Sequence, residues 1–97
     1  MNSHEGVRSG GNWAAILDAL GDPIRRLLYE RLSRDPSNVT RLAKGVSVTR
    51  SAVSHHLRVL KDAGLVAAER SGRSQIYAAC PDGLRPLATW IEKKAQP

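Results

Sequence analysis

Cysteine is nearly absent from this sequence: Cys80 is the single cysteine among 97 residues. One cysteine cannot form an internal disulfide, so folds that depend on a disulfide framework are excluded. A lone thiol suits a reducing compartment, and we expect a cytoplasmic protein. Because Cys80 lies next to Pro81, we interpret it as a small packing residue rather than as a thiol sensor.

Long apolar runs are also missing, since no stretch approaches the roughly 20 residues needed to span a bilayer. The N-terminal segment MNSHEGVRSGGN has no apolar core of the kind that a signal peptide needs. Its polar, glycine-containing residues 1–11 predict a flexible N-terminal arm. Residues 12–97 are then one small domain, whose modest core a partner subunit would help to close.

Acidic residues are scarce in the middle of the chain. Residues 37–75 contain only Asp62 and Glu69, and they carry +5 of the net charge of +6. The basic residues of this stretch are Arg41, Lys44, Arg50, Arg58, Lys61, Arg70 and Arg73. Excess positive charge predicts a polyanionic partner or an acidic membrane surface. An ordinary solvated surface would not be expected to confine the charge to one stretch.

Apolar spacing predicts two helices in the first third of the domain. The first has a stripe made by Trp13, Ile16, Leu17 and Leu20, and it ends at Gly21. The second begins with Asp22 as N-cap and Pro23 in its first turn. We expect its buried face to be Ile24, Leu27, Leu28 and Leu32. We expect its arginines to be solvated: Arg25, Arg26, Arg31 and Arg34.

The next segment predicts a helix-turn-helix. Ser37 can cap a short third helix through Lys44, residues 45–48 form a turn, and Thr49 can cap a fourth helix. The fourth helix has apolar residues at i, i+4 and i+7, and Ala63-Gly64 provides its C-terminal stop. Those apolar residues are Val53, Leu57 and Leu60. A short helix, a tight turn and a second helix in this order are typical of a helix-turn-helix.

The last third predicts a β-hairpin followed by a fifth helix. Two strand-like runs, LVAAER and QIYAAC, flank the turn sequence SGRS. Pro81 ends the second strand and helps to start the last helix. Its apolar residues recur at i, i+3 and i+7, with Trp90 beside them. They are Leu84, Leu87 and Ile91.

Two adjacent histidines, His55 and His56, lie in the middle of the fourth helix. Adjacent helical residues point about 100° apart, whereas zinc pairs on a helix use i, i+4 spacing, so a shared metal ion is disfavoured. Neither histidine has a nucleophile and an orienting acid at a recognisable spacing, so we expect no enzyme. His56 falls on the inner face as a packed, hydrogen-bonded histidine, and His55 falls on the outer face.

The outer face of the fourth helix combines short polar side chains with cations and has no bulky aliphatic residue. Its residues are Thr49, Arg50, Ser51, Ser54, His55 and Arg58. Such a helix can enter a DNA major groove, with polar groups at base edges and cations at phosphates. The alternative is an ordinary solvated face. The hairpin and the confined charge favour DNA.

Three segments together resemble the ArsR/SmtB family of bacterial winged-helix repressors, from about Asp18 to Tyr77. They are ALGDPIRRLLYERL, LAKGVSVTRSAVSHHLRVLKDAGLV and ERSGRSQIY, in the order of the family. The most specific motif is S-H-H-L-x-V-L-x-x-A-G-L-V, beginning at Ser54, and Asp22-Pro23 with Arg26 matches another. The resemblance implies a mainly α (α+β) winged helix-turn-helix, with about five helices and a two-stranded hairpin wing.

The resemblance also implies a homodimer that places two recognition helices and two wings on double-stranded DNA. Besides the outer face of the fourth helix, we expect DNA contacts from Arg41, Lys44, Arg70 and Arg73. The first and last helices carry more large apolar side chains than a small monomer needs. We expect the dimer interface to contain Trp13, Ile16, Leu17, Leu84, Leu87, Trp90 and Ile91.

The sequence departs from the metal-sensing and sulfur-sensing members of that family. Those members carry a cysteine pair at the third helix, Asp and His ligands on the last helix, or two reactive cysteines. Here SNVTRLA has no cysteine, DGLRPLATWIEKKA has no histidine, and Cys80 stands alone. We therefore expect a metal-free repressor without a cofactor, a small-molecule substrate or a membrane partner. The alternatives are a repressor gated by a metal or oxidant, and a winged-helix protein–protein adaptor.

Overall fold

The computed structural model describes residues 12–97, so the arm expected over residues 1–11 lies outside it. This part of the chain contains five helices and two strands. They are α1 Trp13–Leu20, α2 Pro23–Arg34, α3 Val39–Ala43, α4 Arg50–Asp62, β1 Val66–Ser71, β2 Ser74–Ala79 and α5 Arg85–Ala95. The predicted order of helices and hairpin is confirmed. None of the described helices has both the length and the apolar character needed to cross a membrane.

Capping side chains set where the two longest helices begin. The Asp22 carboxylate accepts hydrogen bonds from the backbone N–H groups of Arg25 at 3.0 Å and Ile24 at 2.8 Å. The Thr49 hydroxyl accepts from the N–H of Ala52 at 3.1 Å and caps α4. Both predicted caps are confirmed, because each side chain pairs with an N–H group that a helix leaves free in its first turn.

The cap predicted for α3 is wrong by one residue. Asn38, not Ser37, accepts the hydrogen bond from the N–H of Arg41, at 2.9 Å. Ser37 instead pairs through its backbone with Tyr77 of β2, in two hydrogen bonds of 3.0 and 2.7 Å. Ser37 therefore extends the hairpin by a short third segment rather than starting the helix.

All five helices and the first strand of the hairpin contribute to one hydrophobic core. Its buried residues are Ile16, Ala19, Leu28, Leu32, Leu42, Val53, Leu57, Leu60, Ala63, Leu65, Val66 and Leu87. Leu27 was predicted to be buried, but 39% of it is exposed. Leu28 and Leu32 lie at the centre of the buried face of α2. Leu27 points about 100° away from Leu28 around the helix axis, so the neighbouring elements do not cover it.

The strands of the hairpin pair antiparallel, with Val66 opposite Ala79 and Ser71 opposite Ser74. Gly72 in the turn has a positive φ of 61°, a conformation that glycine adopts without strain. Gly64, just beyond α4, has a φ of 79° and ends that helix as predicted. The start predicted for the last helix at Pro81 is wrong, because residues 81–84 form turns and α5 begins at Arg85.

Two arginines of α2 that were predicted to be solvated are half-buried and make specific contacts. Arg25 donates from Nε to the carbonyl of Ala19 at 2.8 Å, and Arg31 donates from Nη2 to the carbonyl of Gly45 at 2.9 Å. Each guanidinium thus pairs with a carbonyl at or just beyond the C-terminal end of another helix.

Candidate nucleic-acid interface

Helix α4 has a buried face and an exposed polar face. Val53, Leu57 and Leu60 have no exposed surface, which fixes the helix against the core. Thr49, just before the helix, and the five other outer-face residues predicted to meet DNA are all exposed: Arg50, Ser51, Ser54, His55 and Arg58. Because the apolar face of α4 is buried, the hydroxyl, imidazole and guanidinium groups of the opposite face form a continuous strip that is exposed to solvent.

The turn before α4 is held by α2. The guanidinium of Arg31 lies across Gly45, where it donates to the Gly45 carbonyl. A Cβ at Gly45 would overlap this guanidinium, so glycine leaves the room that the arginine uses. Leu42 of α3 is buried in the core, and Thr49 caps α4. These contacts set the direction in which the outer face of α4 points.

The hairpin wing forms a groove with α4 and α3. The groove has a volume of about 290 Å³, and Arg50 and Arg73 line it from opposite elements. Its other lining residues are Asn38, Val39, Thr40, Ser74, Gln75 and Tyr77. A second hollow, of about 370 Å³, lies farther along α4 and is lined by Ser54, Arg58, Lys61, Asp62 and Tyr77. Tyr77 of β2 lines both hollows, so it is the wing residue that the two hollows share.

Sequence reasoning missed Thr40, Gln75 and Tyr77 as members of this surface. Gln75 pairs with Arg70 and Tyr77 pairs with Ala68, and residues directly opposite in a sheet share a face. The alternation along β2 therefore puts Gln75 and Tyr77 on the same face as the buried Val66. The sequence could have predicted that Gln75 and Tyr77 share a face, because strand residues alternate, but it could not predict that α4 lies above that face.

Basic side chains of this surface have no acidic partner among the described residues. Within residues 12–97 the only ion pair within 4.0 Å joins Arg85 to Asp82, at 3.4 Å, and neither residue belongs to α4 or to the wing. The predicted phosphate contacts Arg41, Lys44, Arg70 and Arg73 are exposed. In the wing, Arg70 makes only a long 3.4 Å hydrogen bond to the carbonyl of Gly72. These cations are free to meet an external anion.

The two histidines face in different directions, as the helical spacing predicts. His55 is exposed, whereas His56 is half-buried with its Nδ1 at 3.3 Å from Nη1 of Arg25. Their ring centroids lie 6.0 Å apart and the rings are tilted by 54°. Among residues 12–97 no group of three or more histidine, cysteine, aspartate and glutamate side chains is arranged to hold a metal ion.

The predicted dimer residues divide into a buried and an exposed set. Ile16 and Leu87 are only 1% and 9% exposed, so they belong to the core of the single chain and cannot be the main surface for a partner. Trp13, Leu84 and Trp90 are half-buried against the same core. Leu17 and Ile91, in contrast, are 47% and 49% exposed. These two residues remain as the apolar surface of α1 and α5.

Comparison with known proteins places the helix-turn-helix in a protein family. A family described as a helix-turn-helix domain matches residues 20–68, which include α2, α3 and α4. The transcriptional regulator NmtR of Mycobacterium tuberculosis is 45% identical over 65 residues, which are 67% of this chain and 54% of NmtR. Regulator Rv2034 of the same organism is 43% identical over 75 residues, which are 77% of this chain and 70% of the relative.

A third relative is a homologue of the transcriptional repressor SmtB from Synechocystis, 42% identical over 65 residues. That match covers 67% of this chain and 49% of the homologue. This chain therefore spans about half the length of NmtR and of the SmtB homologue.

Solved structures share the same architecture. An ArsR-like transcriptional regulator from Rhodococcus superimposes with a TM-score of 0.78 at 29% identity, over 92% of this chain and 82% of that chain. The solution structure of a homodimeric winged helix-turn-helix DNA-binding domain from Mycobacterium bovis gives a TM-score of 0.69 at 25% identity. It covers 87% of this chain and 81% of that domain.

These relatives are regulators of transcription. Motifs, helix order, hairpin wing and relatives all agree. The chain belongs to the ArsR/SmtB family of winged helix-turn-helix, DNA-binding transcriptional repressors.

Proposed function

We propose that the protein represses transcription by binding an inverted-repeat operator as a homodimer, and that its own promoter is among its targets. The observation that carries this proposal is the exposed polar face of α4 beside the wing, whose arginines have no acidic partner within the described residues. Unpaired cations around a helix bind phosphates, and the polar face between them can read bases. Bound at a promoter, such a dimer excludes the transcription machinery.

The residues of this surface divide into two proposed roles. Residues at the start and centre of the outer face meet base edges and the nearest phosphates: Thr49, Arg50, Ser51, Ser54 and His55. Residues around them grip phosphates: Arg41, Lys44, Arg58, Arg70 and Arg73. Thr49 keeps this role while capping α4, because its oxygen accepts from Ala52 and its O–H is still free to donate.

Dimerisation follows from the apolar surface of α1 and α5. Leu17 and Ile91 expose about half of their surface to solvent, next to the stacked indoles of Trp13 and Trp90. The homodimeric Mycobacterium bovis domain supports the same arrangement here. A dimer with two-fold symmetry places its recognition helices on half-sites about one helical turn apart, which is about 10–10.5 base pairs, in inverted orientation.

We propose that repression needs neither a metal ion nor a cofactor. The α3 segment SNVTRLA offers no thiol, and the half-buried Cys80 donates its backbone N–H to Leu65 at 2.9 Å as part of the hairpin's packing. Since its target is chromosomal DNA, we place the protein in the cytoplasm.

Selection of bound fragments from random double-stranded DNA tests the proposal. Purified full-length protein is mixed with a random duplex library at about 0.15 M salt, and the retained fragments are sequenced over several rounds. We expect enrichment of one inverted repeat, followed by a mobility shift with two protomers per duplex. A matching site upstream of the protein's own gene tests self-regulation. Failure to enrich any sequence, together with binding to a protein partner through α4, would favour an adaptor instead.

A further inference from the structure

The guanidinium of Arg25 joins three helices. Arg25 belongs to α2, its Nε donates to the carbonyl of Ala19 in α1 at 2.8 Å, and its Nη1 lies 3.3 Å from Nδ1 of His56 in α4. The side chain is half-buried, and Ala19 is almost completely buried. One side chain therefore ties α4 to α1, two helices that residues 21–49 separate in the sequence.

The chemistry of this contact decides which of the two groups donates. A guanidinium has five N–H donors and no acceptor, so Nδ1 of His56 must accept. This contact therefore requires the imidazole tautomer that carries its ring proton on Nε2. Because His56 directly follows His55 of the outer face, a hydrogen bond to its ring restrains the rotation of α4 about its own axis.

We propose that Arg25 is a positioning residue for base recognition: through His56 it fixes the orientation at which α4 presents its outer face to DNA. This inference rests on the proposed function of α4 as the helix that reads the operator. Hydrogen bonds to base edges need close alignment, whereas attraction between cations and phosphates tolerates a small rotation. Loss of the contact therefore lowers specific binding more than non-specific binding.

The link to α1 gives the contact a second consequence. Leu17, proposed to meet the partner subunit, lies two residues before Ala19 on α1. Arg25 therefore relates the orientation of α4 to the helix that faces the two-fold axis. In a dimer on an inverted repeat, both recognition helices must have the same orientation relative to that axis.

The neighbouring arginine provides a matched control. Arg26 donates from Nη1 to the carbonyl of Leu20 at 2.6 Å, so it also binds the C-terminal end of α1, but it makes no hydrogen bond with α4. Arg25→Met and Arg26→Met each remove one positive charge and one hydrogen bond to α1 while keeping the aliphatic stem. Only Arg25→Met removes the contact with His56.

The experiment measures the ratio of affinities for the selected operator and for a scrambled duplex, at one salt concentration. Arg25→Met should lower this ratio by about tenfold, the scale of one hydrogen bond to a charged group. Arg26→Met should weaken both duplexes equally and leave the ratio unchanged. Sedimentation and thermal melting establish that each variant is a folded dimer.

A second pair of variants decides the question even where Arg25→Met does not fold. His56→Gln retains an acceptor for Arg25, and His56→Leu does not, so only His56→Leu should lower the ratio. Two-bond ¹⁵N–¹H correlations at pH 8 should show the ring proton of His56 on Nε2 in the wild type. In a folded Arg25→Met background, His56→Leu should cause no further loss, because the two side chains act as one contact.

Two results separate the possible failures. A wild-type protein without any sequence preference would overturn the proposed function and this inference with it. A wild-type preference that survives in folded His56→Leu and Arg25→Met dimers would overturn the role of Arg25 alone, as would a ring proton found on Nδ1.

Discussion

The indole of Trp13 stacks on the indole of Trp90, with ring centroids 4.4 Å apart and planes inclined by 12°. Aromatic pairs of this kind contribute about 0.5–1.5 kcal/mol beyond the apolar area they bury. The stack joins α1 to α5, so the two terminal helices form one unit within a single chain. Leu17 and Ile91 are left outside that unit, which makes them the residues to test for dimerisation.

The double variant Leu17→Glu/Ile91→Glu should be a folded monomer that no longer binds the operator tightly. Both side chains are about half exposed in the single chain, so charges there should disturb a partner more than the core. Sedimentation velocity at micromolar concentration measures the change. Leu87→Glu provides the contrast, because Leu87 is buried and its replacement should unfold the chain. A well-folded wild-type monomer would contradict the prediction.

The wing and α4 should contribute to DNA binding in different ways. Arg73→Ala removes one proposed phosphate contact per subunit, so the slope of log affinity against log salt should become shallower by about 1.8, at about 0.9 per contact. Arg50→Ala should cost about 1–3 kcal/mol per half-site on the operator and less on random DNA. Arg34→Ala removes the same charge from α2 and serves as the control. If Arg50→Ala lowered the affinity for operator and random DNA equally, Arg50 would not contact the bases.

Operator affinity should change little when zinc or a chelator is added, or when Cys80 is replaced by serine. The expectation rests on the donor set, because the segment SNVTRLA, which leads into and includes α3, contains no thiol and Cys80 is the only cysteine. Fluorescence anisotropy with a labelled operator measures the affinity, and equilibrium dialysis measures zinc binding. Stoichiometric zinc binding with a large loss of operator affinity would instead identify a metal-gated repressor.

Acid should destabilise the protein partly through Asp22. The backbone hydrogen bond from the N–H of Arg25, together with the one from Ile24 and the charge of Arg25, holds the pKa of Asp22 below its ordinary value. A lowered folded-state pKa means that the cap stabilises above the ordinary aspartate pKa of about 3.9. This contribution is lost as the pH falls through the folded-state value. Asp22→Asn keeps an uncharged cap, so urea unfolding between pH 7 and pH 2 should show a smaller loss in this variant. An identical pH dependence in both proteins would contradict the assignment.

Gly45 and Arg31 should behave as one interaction. Gly45→Ala displaces the Arg31 guanidinium, and Arg31→Ala removes it, so each should cost about 0.5–1.5 kcal/mol through the lost hydrogen bond. The double variant should then cost little more than either single variant. Gly83→Ala is the contrast, because its Cβ would lie 2.7 Å from the backbone carbonyl oxygen of Gly64, which cannot move aside cheaply. We expect about 1–3 kcal/mol there, measured by urea denaturation.

Much of the helix-turn-helix was predictable because residues close together in the sequence determine it. The spacing of Val53, Leu57 and Leu60 determines which face of α4 is buried, and Thr49 and Gly64 determine where the helix begins and ends. The hairpin follows from two strand-like runs around Gly72. Each of these features depends on residues within a few positions of one another, so the sequence alone determined them.

The tertiary structure decided which surfaces are covered and which long side chains find partners. Ile16 and Leu17 are adjacent and both apolar, yet only the packing of α1 on the core buries the first and exposes the second. Arg25 and Arg31 were predicted to be solvated because their partners lie in other elements: α1, α4 and the turn after α3. A residue's periodicity gives its direction on its own helix, but what lies in that direction depends on elements that meet only when the chain folds.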